Sequence, residues 1–369
     1  MTATDSPKSQ RVIIGMSGGV DSSVAAHLLL EDGYQVEGLF MKNWEEDDGT
    51  EYCTALEDLA DAERVCERLG IKLHTANFAA EYWDNVFEDF LTEYRASRTP
   101  NPDVLCNREI KFKQFVAYAE RLGGDWIATG HYARSTGSGD DYKILKGLDA
   151  NKDQTYFLQA VPRHQLQKCL FPLGAWQKKD IRARAEALGL HNHARKDSTG
   201  ICFIGERRFA DFLDRFIEDS PGLIVDENHR VLGEHRGLHH YTIGQRQGIN
   251  LGGIRGRREA PWYVAGKHIH RHELIVTQND NLLNGQWLRA DGVNWLQELD
   301  LPLRCQAKIR YRQEDQACQV SLAADGSLLV KFDAPQRAIS PGQFIAFYTG
   351  DVMLGGARIQ HADMDIRLK

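Results

Sequence analysis

Residues 11–29, RVIIGMSGGVDSSVAAHLL, commit the start of this chain to a strand, a glycine turn and a helix. Val12, Ile13 and Ile14 form a β-branched apolar run, and Val24, Ala25, Leu28 and Leu29 fall at helical spacing. Gly15, Met16, Ser17, Gly18, Gly19, Val20, Asp21 and Ser22 lie across the turn. Paired glycines let an anion approach the backbone, because no Cβ stands in the way. The helix start adds unpaired N–H groups and the positive end of its dipole. The segment therefore predicts a phosphate cradle at the carboxyl end of a first strand. No Gly-Lys-Ser/Thr follows, so it is not a Walker A loop, and G-x-G-x-x-G is absent.

Such a start favours a parallel sheet with helices on both faces, and the next residues continue the alternation. Strands are predicted at 35–41, 72–78 and 126–132, and helices at 55–69, 83–94 and 111–122. Further helical patterns are predicted at 165–170, 179–188 and 209–217. Such a sheet carries its site at the carboxyl ends of its strands, which places Met41 and Gly130 beside the cradle. From about Ser220 glycines become frequent and long helical stripes vanish. From about Leu283 the pattern is all β, with a hairpin signal at Asp325-Gly326. The expected architecture is α/β, a doubly wound, mostly parallel sheet over 1–215, then a small glycine-rich β module over 216–282 and a C-terminal β-barrel over 283–369.

The chain has 369 residues and a formal net charge of −7, which argues against indiscriminate nucleic-acid coating but leaves room for a local basic face. No apolar run approaches a membrane span, and Met1–Gln10 lacks a signal-peptide core. A cytoplasmic protein with no membrane partner is expected. The 7 cysteines form no C-x-x-C pair, so no protein-held metal site is expected. Cys66, Cys169, Cys305 and Cys318 sit in apolar helix or strand patterns and read as small core residues, while Cys53 is undecided. Cys106, in RTPNPDVLCNREIKF, and Cys202, in KDSTGICFIGERRF, stand in polar loops entering helices with basic neighbours. That setting suits a reactive, exposed thiol of lowered pKa.

SGGxDS after a first strand resembles the loop of the ATP pyrophosphatases, enzymes that split ATP into AMP and pyrophosphate while adenylating a carbonyl oxygen. Read in order, GMSGGVDSS, FMKNW, TPNPDVLCN, ATGHYAR, NKDQTYFL and DSTGICFIGER resemble the tRNA-specific 2-thiouridylases, and the likeness covers nearly the whole chain. The resemblance implies adenylation of a wobble uridine of tRNA by ATP, followed by its thiolation. It assigns the phosphates to Gly15–Ser22, the nucleoside to Met41 and Gly130, and Mg²⁺, arriving with ATP, to the neighbourhood of Asp21. Cys202 would carry a persulfide sulfur and Cys106 would help release it, closing a disulfide. Asp103 would act as acid or base, with Asn101 and Pro102 shaping its pocket. RNA contacts would fall on Asn101, Pro102, Asp103, His131, Lys152, Asp153, Gln154, Arg310, Tyr311 and Gln343. A persulfide-donating or sulfur-carrier protein is the implied partner of a monomeric enzyme.

Two other readings stand beside this one. A nitrogen-donating ligase of the same superfamily explains the loop but gives Cys106, Cys202 and the β tail no work. An RNA-binding module with a relic nucleotide site leaves the intact loop unexplained.

Overall fold

The computed structural model describes residues 9–45, 55–196, 209–252 and 260–363. Strands β1 (Arg11–Gly15), β2 (Gln35–Lys42), β3 (Leu73–Asn77) and β4 (Trp126–Ala128) pair in parallel. Strands β5 (Ala133–Thr136) and β6 (Lys143–Lys146) form a hairpin, and β7 (Cys169–Leu170) returns to the first sheet. The sheet order is β3-β2-β1-β4-β7. Val12 and Ile14 pack on one face with Val24 and Leu28, whereas Ile13 packs on the other with Phe87 and Phe115. Both faces are covered, which is why β1 reads as a continuous apolar run. Cys169 and Leu170, expected in a helix, instead form an edge strand opposite Ile127 and Ala128. Two residues are too few for a period to show in the sequence.

The second unit holds β8 (Gly222–Val225), β9 (Val231–His235), β10 (Tyr263–His268) and β11 (Glu273–Thr277), in the order β10-β11-β8-β9. The third holds β12 (Asn284–Trp295), β13 (Leu303–Lys308), β14 (Gln316–Leu322), β15 (Leu328–Arg337), β16 (Phe344–Thr349) and β17 (Val352–Ala362). These pair as β12-β15-β14-β13-β16-β17, and β17 returns to β12 to close a barrel. Closure removes sheet edges. The Asp325-Gly326 turn joins β14 to β15, with Gly326 at φ 85°.

β17 also pairs with β6, setting Val352 against Leu145 and Met353 against Ile144. One sheet thus runs from the first unit into the barrel. Lys146 and Lys308 lie over the Tyr348 ring at 4.5 and 5.4 Å at this joint.

Candidate active site

The strand order reverses between β1 and β4, and open α/β sheets bind ligands at such a crevice. The loop Ser17–Gly19 leaves β1 there and feeds the helix Val20–Glu31. Gly18 has φ 72°, and a Cβ on it would lie 2.6 Å from the Asp58 carbonyl oxygen. A Cβ on Gly130, after β4, would come 3.0 Å from the Ser22 backbone nitrogen. At both positions neighbouring backbone packs too closely for any side chain, which seats the loop and the end of β4 against each other and the helix behind. Ser22 Oγ and Ser23 Oγ donate to the Gly19 carbonyl at 3.1 and 2.8 Å, tightening the turn so that the helix N–H groups face outward. Asn192 Nδ2 donates to the Gly18 carbonyl at 2.8 Å and to Ser23 Oγ at 3.0 Å. Gly15 and Met41 meet: a Cβ on Gly15 would lie 3.4 Å from Met41 Cε and 3.3 Å from Phe115 Cε1.

Asp21 does not stand alone at the helix start. Lys178 Nζ donates to both of its carboxylate oxygens, at 2.7 and 2.8 Å, and the Tyr132 hydroxyl donates to Oδ1 at 2.8 Å. Lys178 is the first residue of the helix Lys178–Ala187, an end that disfavours cations. The misplaced cation was a signal legible in the sequence. Its partner, 157 residues away, was not. Arg195 backs the loop from below, donating to Asp61 at 2.6 Å and to Asp58. Although partial burial pulls the Asp61 carboxyl upward, His191, Arg64 and Arg195 hold it below its ordinary value. Cys202 falls within 197–208, outside the described residues.

Asp103 and Cys106 lie on the helix Pro102–Cys106, which runs on through a π-helical stretch, Asn107–Gln114, to the helix Phe115–Arg121. Cys106 was expected exposed in a loop, but its thiol is 1 % exposed and faces the core with Val104 and Leu105. The prolines mark the helix start rather than a loop, so the cysteine lands one turn inside on the inner face. Both other units grip the segment before this helix. Gln343 Nε2 donates to the Thr99 and Pro100 carbonyls at 2.9 and 3.1 Å, and Thr99 N donates to the Pro341 carbonyl at 2.9 Å. From the second unit, Lys267 Nζ donates to the Ser97 carbonyl at 2.7 Å, with burial pushing its pKa down to about 7. Gln343 thus holds the Asn101–Asp103 segment in place, a use its sequence neighbours did not reveal.

The remaining residues assigned to RNA divide. Asp153 is buried, and its Oδ1 accepts from Gly147 N at 3.1 Å and from Thr155 Oγ1 at 2.9 Å. It builds the turn from within. Gln154 Oε1 accepts from Tyr132 N at 3.0 Å. His131 is buried with its Nδ1 2.8 Å from Thr129 Oγ1, and burial, helped by the Lys111 charge, holds its pKa down to about 3. Its ring is neutral at working pH. Lys152 is half-buried in the turn between Asp149 and Asp153. Tyr311 leans on Phe157 with ring centroids 4.7 Å apart and carries the Arg312 guanidinium 5.2 Å from its ring. Arg310 is exposed and reaches back to the Arg337 carbonyl.

A parallel sheet with a serine–glycine phosphate loop at its reversal defines a nucleotide-binding α/β protein extended by two β-rich units. Residues 10–206 match the family described as tRNA methyl transferase HUP domain, 210–278 its PRC-barrel domain, and 286–359 the aminomethyltransferase beta-barrel domain. Full-length relatives include a tRNA-specific 2-thiouridylase MnmA of Stutzerimonas stutzeri, 59 % identical over 97 % of this chain and 96 % of that protein. Those of Pseudomonas putida and Chromohalobacter salexigens are each 58 % identical, over 98 % and 95 % of this chain and 97 % and 92 % of theirs. The chain belongs to the tRNA-specific 2-thiouridylase family.

Proposed function

We propose that the chain is an ATP-dependent tRNA sulfurtransferase that makes 2-thiouridine at the wobble position, releasing AMP and pyrophosphate. The observation that carries this reading is the phosphate cradle at the β1/β4 reversal, joined through Phe115 to the helical run that bears Asp103 and Cys106. ATP supplies the leaving group by adenylating the C2 oxygen of uridine. Ser17–Ser22 hold phosphates, Asp103 handles the proton at the base, and the persulfide on Cys202 attacks C2 as AMP departs. Cys106 then attacks Cys202 Sγ, leaving sulfur on the RNA and a Cys106–Cys202 disulfide that an external thiol must reduce. The word methyl transferase in the family descriptions has no counterpart in a loop built for phosphate oxygens. The three-unit division at 215 and 282, a monomer, a cytoplasmic setting and a protein sulfur donor belong to the same reading. Among the described residues no helix is long and apolar enough to cross a membrane.

The deciding experiment is mass spectrometry of nucleosides from tRNA incubated with the protein, ATP and a persulfide donor. The expected result is 2-thiouridine that requires ATP, with AMP appearing only when tRNA is present. AMP released instead with a small amide-forming acceptor, without tRNA, would assign the chain to the nitrogen-donating ligases.

Three smaller effects test the geometry. Lys178→Met leaves the Asp21 carboxylate facing the phosphates without its counter-charge, and ATP affinity is expected to fall about tenfold. Asp21→Asn should leave ATP affinity unchanged or raise it, while weakening the dependence on Mg²⁺, because Asp21 must exchange Lys178 for the cation. Isothermal titration with and without Mg²⁺ reads both signs. At Gly342, φ is 92° and a Cβ would lie 2.9 Å from Thr99 N. Gly342→Ala therefore displaces the segment that aims Asp103. Thiolation in a single turnover is expected to slow roughly ten- to hundredfold with ATP affinity unchanged.

A further inference from the structure

Away from the nucleotide crevice, four side chains converge where the first unit passes into the second. Asp214 follows the helix Phe209–Leu213, and Asp219 lies on the connection into β8. His239 and His240 close the short 3-10 turn Leu238–His240. One ligand atom from each of the four lies within 4.8 Å of the others. His240 Nε2 stands 2.7 Å from Asp219 Oδ1 and 3.6 Å from Asp214 Oδ1, and His239 Nε2 stands 3.8 Å from Asp219 Oδ1. Tetrahedral ligands bonded at about 2.0–2.1 Å sit roughly 3.3 Å apart, so these spans bracket what a single ion needs.

A second observation concerns His239 alone. Its side chain is only 6 % exposed, yet Nε2, the atom facing Asp219, has no hydrogen-bond partner. Buried polar atoms are almost always paired, and an orphan at the centre of a donor cluster points to a missing ligand.

We propose that Asp214, Asp219, His239 and His240 bind a divalent transition metal of the zinc type. Two imidazoles with two carboxylates suit zinc, whereas calcium and magnesium favour all-oxygen shells. Arg236 Nη1 donates to Asp214 Oδ2 at 2.9 Å, and it remains there as the outer partner of a ligating carboxylate. The ion displaces the His240–Asp219 hydrogen bond: Nε2 gives its proton to solvent as it takes the metal, and Nδ1 takes one up, so the imidazole stays neutral. The 3.3 Å contact of Arg236 Nη2 with His240 Nδ1 opens in the same step. Both carboxylates are exposed, which provides the entry path. Phe212 and Phe216 anchor the same connection on Phe87, at 5.9 and 4.9 Å between ring centroids. The metal would therefore fasten the second unit to the aromatic core of the first.

The test uses the full chain, stripped with chelator, its thiols blocked by alkylation, then titrated with Zn²⁺. The expected result is one saturable site per chain, weakened at least about tenfold in His239→Ala and in Asp219→Asn. Crystals grown with zinc should show an anomalous peak between the four side chains. Absence of saturable binding once thiols are blocked, binding unmoved by both substitutions, or a peak elsewhere would each overturn the proposal. The anomalous peak is read on the unsubstituted chain, so a variant that fails to fold does not decide the matter.

Discussion

Replacing Gly18 with alanine is expected to weaken ATP binding by about thirtyfold or more. Two independent costs fall on one methyl group. At φ 72° an L-residue other than glycine is strained by about 1–2 kcal/mol. The new Cβ would also stand 2.6 Å from the Asp58 carbonyl oxygen, a backbone atom that cannot swing away like a side-chain tip. Relief requires the loop to move off the helix Ala55–Leu69. That breaks the Asn192 hydrogen bond to the Gly18 carbonyl and turns the cradle's N–H groups from their common focus. A total near 2 kcal/mol corresponds to about thirtyfold in affinity, and the loss of aim adds to it. Calorimetric titration with a non-hydrolysable ATP analogue reads the affinity, and thermal melting reads the strain. A variant that melts early but binds the analogue like the unsubstituted chain would show that Gly18 serves the fold alone and that phosphates lie elsewhere.

The sequence made local features legible and hid those whose cause lies far along the chain. β1 and its loop were readable because strand, turn and helix each carry their own residue signature within 11–29. The β14–β15 hairpin was readable from Asp325-Gly326 for the same reason. The β5–β6 hairpin was not, because what stabilises it is β17, where Val352 lies opposite Leu145. Lys178, Asn192 and Arg195 serve the loop from residues that follow it by more than 130 positions. No spacing rule reaches that far. Asp153 has a use its motif did not reveal: its carboxylate turns inward onto Gly147 and Thr155 and shapes the turn between Lys152 and Gln154. The four cysteines placed in the core by their apolar patterns, Cys66, Cys169, Cys305 and Cys318, are all buried. Cys106 misled because polar neighbours were taken to mean exposure, although a helix can bury one residue in three or four.

That burial shapes the largest expected effect. Cys106→Ser and Cys202→Ser should each lower tRNA thiolation by about a thousandfold or more, while tRNA-dependent AMP formation persists through a first turnover. In the proposed mechanism adenylation draws on the loop and Asp103, and both substitutions leave those side chains in place. On the proposed relay, sulfur release brings the two Sγ atoms to about 2.05 Å, which a thiol 1 % exposed cannot do from its present position. The helix Pro102–Cys106 must therefore shift. It has the means, because it continues into a π-helical stretch, an arrangement found at sites that rearrange, and it is held at its entry by Gln343 and Lys267 from the two β-rich units. Iodoacetamide labelling followed by peptide mapping then has a definite outcome. Cys106 should react slowly in the free protein and at least tenfold faster once tRNA is bound. Cys66, whose thiol burial pushes up to about 11, and Cys169, pushed higher still, should stay unlabelled in both states. Full thiolation by Cys106→Ser would mean that the persulfide on Cys202 delivers its sulfur without a partner. Unchanged labelling of Cys106 on tRNA binding would mean that the grip of the outer units on Ser97–Pro100 fixes the helix in place and does not move it.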